Sequence, residues 1–466
     1  MTSSIKQELL RGLPSINDLL ACGAVAGWLG EHPRELVTLC LRDAVEEIRE
    51  HILNDTGGRC GAMHTGADYV LQIAAEKLTC RTAPHICGAI NATGIILHTA
   101  LGRAVWAESV VDSMTDELKG YVTLAIDRQT GKRSDRDLRV EYMLTELTGA
   151  EAATVVNNNA AATMLVLAAL AKGKEVIVSR GQLVEIGGSF RLPDVMAESG
   201  AQLVEVGATN RTHPRDYAGA INMKTGALLR VHPSNYRISG FTREVTLAEM
   251  SEIAGEQGVM LIDDLGAGSL VSLEKFGLPH EPTVRESIEA GADVVLFSAD
   301  KLIGASQGGV IVGRRDLIAR IRKHPLARAM RADKSCLMVL ERTLQMFRDP
   351  EKLAELHPTY RMLAADDAVL KTRAEKLAGA ITAGRVEVCQ GLGYLGSGSL
   401  PTHGLPTWVV KVSLPDIPAA RAAEQLRTDD ACVFTRIEDE RIVMDARTIT
   451  DDQIEPIAAA FARQFG

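Results

Sequence analysis

Lys301 stands just beyond an apolar run, Val294-Val295-Leu296-Phe297, from which Ser298-Ala299-Asp300 separate it. A buried strand of that kind delivers the lysine into a loop rich in Gly and Ser. Desolvation there lowers the amine's pKa and frees it to form a Schiff base. Most lysines are solvated surface residues, so this one gains meaning only from its company. Upstream, the apolar stretch Val259-Met260-Leu261-Ile262 ends in Asp263-Asp264-Leu265-Gly266. Strand alternation turns the adjacent aspartates to opposite faces. Asp264 is assigned to the site, and Asp263 to a turn or a supporting position. A third stretch, Ala153-Thr154-Val155-Val156-Asn157-Asn158-Asn159-Ala160, reads as a strand ending in three asparagines before an Ala-rich helix. Free amides and the dipole at such a helix start cradle a phosphate. Asn157, Asn158, Asn159 and Ala160 are therefore candidate phosphate holders, with simple helix capping as the competing role. In this order within one α/β region, a phosphate turn, a carboxylate able to hold a pyridinium nitrogen protonated and a Schiff-base lysine fit pyridoxal phosphate. His232, Ser234 and Asn235 could contact the ring hydroxyl of that cofactor or simply order their loop.

Arginines form a further group. Arg314, Arg315, Arg320, Arg322, Lys323, Arg328, Arg331 and Lys334 are opposed in that segment only by Asp316 and Asp333. Guanidinium groups grip phosphate oxygens bidentately. The segment reads equally as a basic surface helix or as an anion site, and Arg103, after Gly102, is another anion-binding candidate. No pair of the eight cysteines is spaced C-x-x-C, and no His/Cys cluster has metal-ligand spacing, so no metal site is expected. The cysteines read as scattered small apolar residues.

The elements that must position these groups follow from periodicity. Residues 1–80 read as a helical domain and linker, with Leu36, Leu39, Leu41, Val45, Ile48 and Ile52 at helical spacing and a turn at Asn54-Asp55-Thr56-Gly57-Gly58. Residues 81–345 alternate short apolar strands with helices. The strands fall at Val176–Val178, Gln202–Val206, Gly226–Val231, Val259–Ile262, Asp293–Phe297 and Gly309–Val312, and one helix at Ala160–Ala171. This pattern predicts a mostly parallel sheet with ligands at the strands' carboxyl ends. Residues 346–466 open on a long helix near Pro350–Leu377. Strands at Thr407–Val412 and Arg441–Met444 and a last helix then make a small α+β domain.

With 46% hydrophobic and 24% charged residues, the chain has the make-up of a soluble globular protein. No apolar run approaches the roughly 18–20 residues that span a bilayer, and Met1-Thr2-Ser3-Ser4-Ile5-Lys6 lacks a signal-peptide core, so a cytoplasmic protein without membrane contact is expected. The net charge of −9 opposes indiscriminate nucleic-acid binding but leaves room for a local basic face.

The chain resembles the bacterial L-seryl-tRNA(Sec) selenium transferase (selenocysteine synthase) family over nearly its whole length. The likeness is carried by Asn91-Ala92-Thr93-Gly94, Leu101-Gly102-Arg103-Ala104, the triple-asparagine turn, Leu183-Val184-Glu185-Ile186-Gly187-Gly188-Ser189-Phe190-Arg191, Asp300-Lys301, and Pro325-Leu326 with Arg328, Arg331, Asp333 and Lys334. The resemblance implies a fold type I pyridoxal-phosphate transferase: an aminotransferase-like large domain, a small C-terminal domain and an N-terminal helical domain that grips tRNA. It implies that Lys301 carries the cofactor, that Asp300 assists proton movement, and that Arg103, Arg328 and Arg331 bind selenophosphate. The implied reaction converts seryl-tRNA(Sec) to selenocysteinyl-tRNA(Sec) for selenoprotein synthesis. It runs by β-elimination, through an aminoacrylyl intermediate, and selenium addition. The implied assembly is a homo-oligomeric ring of dimers, a decamer in the family. Ala100, Ala125, Ala208 and Ala299 stand where the family usually has Asn, Glu, Thr and Gly. These departures keep a second reading open: a pyridoxal-phosphate lyase or ammonia-eliminating enzyme acting on a small anionic amino acid without tRNA. A non-catalytic protein of the pyridoxal-phosphate fold, or a tRNA-binding protein, is the third, and an intact Lys301 and Asp264 speak against it.

Overall fold

The computed structural model describes residues 3–54, 65–188, 190–233 and 235–466. Ser234 and most of the turn expected after Asn54 lie outside them. The chain divides into two compact units, Met1–Gly88 and Ala89–Gly466.

The first unit is helical. Its longest helices are α1 (Arg34–Asn54) and α2 (Ala67–Thr82). Val37, Leu41, Ala44, Ile48 and Ile52 recur every three or four residues on α1 and pack with Leu19, Val25, Val70 and Ala74. Leu39, expected on this stripe, instead sits 45% exposed on the far side.

The second unit is built on a seven-stranded sheet: β1 (Ala152–Val156), β2 (Glu175–Ser179), β3 (Gln202–Val206), β4 (Thr225–Val231), β5 (Met260–Gly266), β6 (Val294–Ser298) and β7 (Gly309–Gly313). Their order is β1-β7-β6-β5-β4-β2-β3. All neighbours are parallel except β7, which runs antiparallel to both β1 and β6. β1, β6 and β7 are buried at every position, as expected of strands covered on both faces. Because β7 returns directly from β6, it places Gly309 opposite both Ser298 and Val156, the carboxyl ends of β6 and β1. The lysine loop and the asparagine turn are thereby joined by one residue. A Cβ on Gly309 would lie 2.1 Å from the Asn158 carbonyl oxygen, so the site tolerates only glycine there without movement.

A four-stranded antiparallel sheet, β8 (Arg385–Gly396), β9 (Ser399–Ser413), β10 (Arg436–Glu438) and β11 (Arg441–Asp445), is ordered β8-β9-β11-β10. Strand β8 was not anticipated; Gly391, Gly393 and Gly396 dilute its alternation. The single helix expected at Pro350–Leu377 is instead three helices, Leu353–Leu356, Pro358–Leu363 and Asp367–Ala380. Pro358 cannot donate into a continuing helix. His357 and Asp366 cap the new starts, their side chains accepting from the amides of Thr359 and Ala368. The break has a use. Nε2 of His357 lies 2.8 Å from the Ile303 carbonyl, and the Tyr360 hydroxyl donates to that of Leu302, bracing the loop that carries Lys301.

Candidate active site

Arg103, Asn158, Asn159, Ala160, His232, Asp264 and Lys301 line one cavity of about 260 Å³ at the carboxyl ends of β1, β4, β5 and β6. All but Arg103, which follows the 3₁₀ turn Thr99–Leu101, arrive there from the end of a strand. Lys301 follows β6 and is only 7% exposed. Burial lowers its pKa, and the Arg103 charge adds to that. Asp300, Asp264 and Glu281 pull the other way. An amine so placed is uncharged, and nucleophilic, at lower pH than a surface lysine.

Asp263 and Asp264 do face opposite sides of β5. Asp264 points into the cavity, where it accepts from the Asn159 side-chain amide at 2.9 Å and from the Thr163 hydroxyl at 2.9 Å. Burial raises its pKa, while those two donors and Lys301 favour the charged form. Asp263 occupies no turn: it is wholly buried within β5 and pairs with Arg230 at 3.0 Å.

Residues 158–160 start α3 (Asn159–Leu170). The Asn158 side chain accepts from the Ala161 amide at 2.8 Å, and the first intrahelical bond runs from Ala162 to the Asn158 carbonyl. The amides of Asn159 and Ala160 thus precede the hydrogen-bonded turns and open toward the cavity. Capping and phosphate holding are not rivals here, because Asn158 caps while its neighbours' amides stay free. Asn157 departs from the expectation. Its side chain is exposed and outside the cavity lining, and its amide donates to Met330. Among the described residues Asn159 Oδ1 and His232 Nδ1 are buried without hydrogen-bond partners. A cavity with a lysine amine, a buried carboxyl, helix-start amides and unsatisfied polar atoms fits pyridoxal phosphate.

Asp300 is 6% exposed and forms an ion pair with Arg103 at 2.7 Å. Arg103 reaches it from a left-handed backbone (φ 65°), a conformation that costs a non-glycine residue energy. Arg328 and Arg331 do not line this cavity. They border a second one of about 400 Å³, together with Arg133, Arg136 and Arg322. Burial lowers the pKa of Arg136 there, and the nearby Arg331 and Arg328 charges lower it further. Other members of the basic segment are neutralised: Arg314 pairs with Asp293 and Asp316, and Arg322 with Glu141. Cys40 and Cys336 are buried as expected of small apolar residues, whereas Cys80 and Cys87 are exposed. Among the described residues no group of His, Cys, Asp and Glu is arranged to hold a metal, and no helix is long and apolar enough to cross a membrane.

Sequence reasoning missed Thr163 and Glu281. Thr163 lies one helical turn beyond Asn159, so i, i+4 spacing could have placed both on the Asp264 face. Glu281 sits in irregular chain between a 3₁₀ turn and a short helix, where no periodicity marks it.

Residues 89–450 match the family described as L-seryl-tRNA selenium transferase, and residues 10–49 match its selenocysteine synthase N-terminal region. A Solidesulfovibrio magneticus protein named L-seryl-tRNA(Sec) selenium transferase is 46% identical, over 98% of each chain. Proteins of that name from Rhizobium meliloti and Alkaliphilus oremlandii are 44% and 40% identical over 95% and 98% of each chain. Among solved structures, a D-glucosaminate-6-phosphate ammonia-lyase superposes with a TM-score of 0.56 at 21% identity, covering 81% of this chain and 95% of its own. That likeness speaks for the fold alone. The sequence matches speak for more: the chain belongs to the L-seryl-tRNA(Sec) selenium transferase family.

Proposed function

We infer that the protein is a pyridoxal-phosphate-dependent transferase that converts L-seryl-tRNA(Sec) to L-selenocysteinyl-tRNA(Sec) with selenophosphate as selenium donor. The observation that carries this reading is 40–46% identity over nearly the full length of proteins of that name, together with a cavity whose groups suit the cofactor. When bound, the cofactor supplies an electron sink that lets the seryl α-proton leave and the β-hydroxyl depart.

The chain's own residues take the following roles in this reading. Lys301 would hold the cofactor covalently, and its free Nζ would be placed to take a proton. Asp264 would pair with the ring nitrogen and keep it protonated, with Asn159 and Thr163 fixing the carboxyl. The helix-start amides of Asn159 and Ala160 hold the phosphate, with Asn158 securing the turn. Asp300, paired with Arg103, tunes Lys301 and assists proton movement. Ser234 is proposed to contact the ring hydroxyl; it lies outside the described residues. Asn157, its amide spent on Met330 and its side chain outside the cavity lining, takes no part in holding the phosphate in this reading.

Arg103, Arg328 and Arg331 are proposed to bind selenophosphate. Arg103 borders one cavity and the other two border another, an arrangement in which a neighbouring chain would bring the missing cations to each donor anion. This separation supports a homo-oligomer in which sites are completed between chains. The helical part, residues 1–80, is proposed to hold the tRNA, residues 81–345 the cofactor, and residues 346–466 to form the small domain. Residues 1–60 carry six Lys/Arg against nine Asp/Glu (6 − 9 = −3), so tRNA contact there rests on a few cations and on shape. The reaction is proposed to run in the cytoplasm.

The ammonia-eliminating alternative is not favoured, because the high-identity relatives carry the transferase name across the helical region as well. The deciding test is incubation of purified protein with seryl-tRNA(Sec) and selenophosphate. Selenocysteinyl-tRNA is the expected product. Turnover of a free amino acid with no tRNA product would overturn the reading.

A further inference from the structure

Behind the cavity wall lies a pair of titratable side chains that the roles above leave unused. His232 directly follows β4, and its amide donates to the Asp264 carbonyl at 2.9 Å, which fixes the ring beside the cavity. Its Nδ1 points away from solvent, buried and without a hydrogen-bond partner among the described residues. The group facing that nitrogen is the carboxyl of Glu281, with Oε1 3.7 Å from Nδ1. Glu281 is only 5% exposed. A buried carboxyl facing an unpartnered ring nitrogen gains most by sharing a proton with it.

We propose that Glu281 is a positioning residue whose carboxyl decides which ring nitrogen of His232 bears the proton, and so whether Nε2 offers the cofactor cavity a donor or an acceptor. The proposal rests on reading that cavity as the cofactor site. Its balance is simple. With Glu281 neutral, its O–H donates to Nδ1, and the ring proton sits on Nε2. When the pair loses one proton to solvent, the carboxylate accepts from Nδ1–H, and Nε2 is left with a lone pair.

The surroundings set where this exchange falls. Glu281 is pushed up to about 7 by burial, against the His280, Lys301 and Arg230 charges. His232 is lowered to about 4 by burial, helped by Arg230 and Lys301, so the ring stays neutral throughout. Arg230 is itself paired with Asp263. The donor form therefore prevails below about pH 7 and the acceptor form above it.

Histidine tautomers are read directly by solid-state NMR of full-length protein labelled with ¹³C,¹⁵N-histidine, with and without pyridoxal phosphate. The His232 signal is assigned by its loss in His232→Asn. In wild type it is expected to pass from the Nε2–H to the Nδ1–H tautomer with a midpoint near pH 7. In Glu281→Gln, with the amide turned to donate to Nδ1 and no proton to lose, the ring should stay Nε2–H from about pH 5.5 to about pH 9. Affinity for pyridoxal phosphate below pH 7 should be kept in Glu281→Gln and fall roughly tenfold in Glu281→Ala, the loss of one hydrogen bond. A pH-independent tautomer in wild type, or a Glu281→Gln protein that titrates like wild type, would overturn the proposal. The tautomer is read without cofactor as well, so failure of the cofactor-site reading would appear separately, as unchanged covalent cofactor attachment in Lys301→Ala.

Discussion

At the level of single residues, the site is a set of opposed charges in a small cavity. Lys301→Ala should abolish both the visible absorbance of covalently held cofactor and all turnover, whatever the tRNA concentration. Asp264→Asn keeps the shape but removes the charge. A buried charge pair lost in this way costs about 2–3 kcal/mol, so turnover should fall on the order of 100-fold while the protein still folds. Arg103→Met tests the tuning of Lys301. Arg103 lowers the Lys301 pKa and also occupies Asp300, which raises it. Removing the guanidinium acts in one direction through both routes. The amine becomes harder to deprotonate, and the pH midpoint for cofactor attachment, followed by absorbance, should move upward.

Among the elements, the β6–β7 return and the helix at Pro358–Leu363 do most to hold the site. Gly309→Ala would drive a methyl group against the Asn158 carbonyl, and overpacking of this kind costs about 1–3 kcal/mol. Thermal melting should report that loss, and cofactor affinity should fall with it, because the displaced atom belongs to the asparagine turn. His357 makes the fold sensitive to acid. Burial lowers it to about 4 from the 6.5 of an exposed ring. The unfolded chain therefore binds the extra proton first. The ring's contribution, about 3 kcal/mol, is whole above pH 6.5 and is lost as pH falls toward 4. Melting temperature measured across that window should fall less steeply in His357→Gln. These two elements were unequally legible. The strand-end lysine and aspartate could be read from apolar runs because buried parallel strands write themselves plainly. The His357 brace could not, since a helical period over Pro350–Leu377 conceals the break at Pro358, whose purpose is set by a loop more than fifty residues earlier.

For the molecule as a whole, the division into Met1–Gly88 and Ala89–Gly466 yields a prediction. A chain comprising residues 89–466 should fold and hold cofactor with wild-type absorbance, yet lose conversion of seryl-tRNA(Sec) by orders of magnitude. Retained conversion would take the tRNA role away from the helical unit. The separation of Arg328 and Arg331 from Lys301 belongs to this scale too. The family resemblance puts three arginines on one anion, but a resemblance carried position by position cannot say which cavity a side chain enters. The topology of the central sheet carries one more consequence. β1 has a single neighbour, β7, made more than 150 residues later. On the ribosome, the nascent asparagine turn therefore has no partner strand until Gly309–Gly313 has emerged. Amino-terminal fragments that stop short of Gly309 should fail to capture the coenzyme, and its uptake should be a late event that reports completed synthesis of the catalytic sheet.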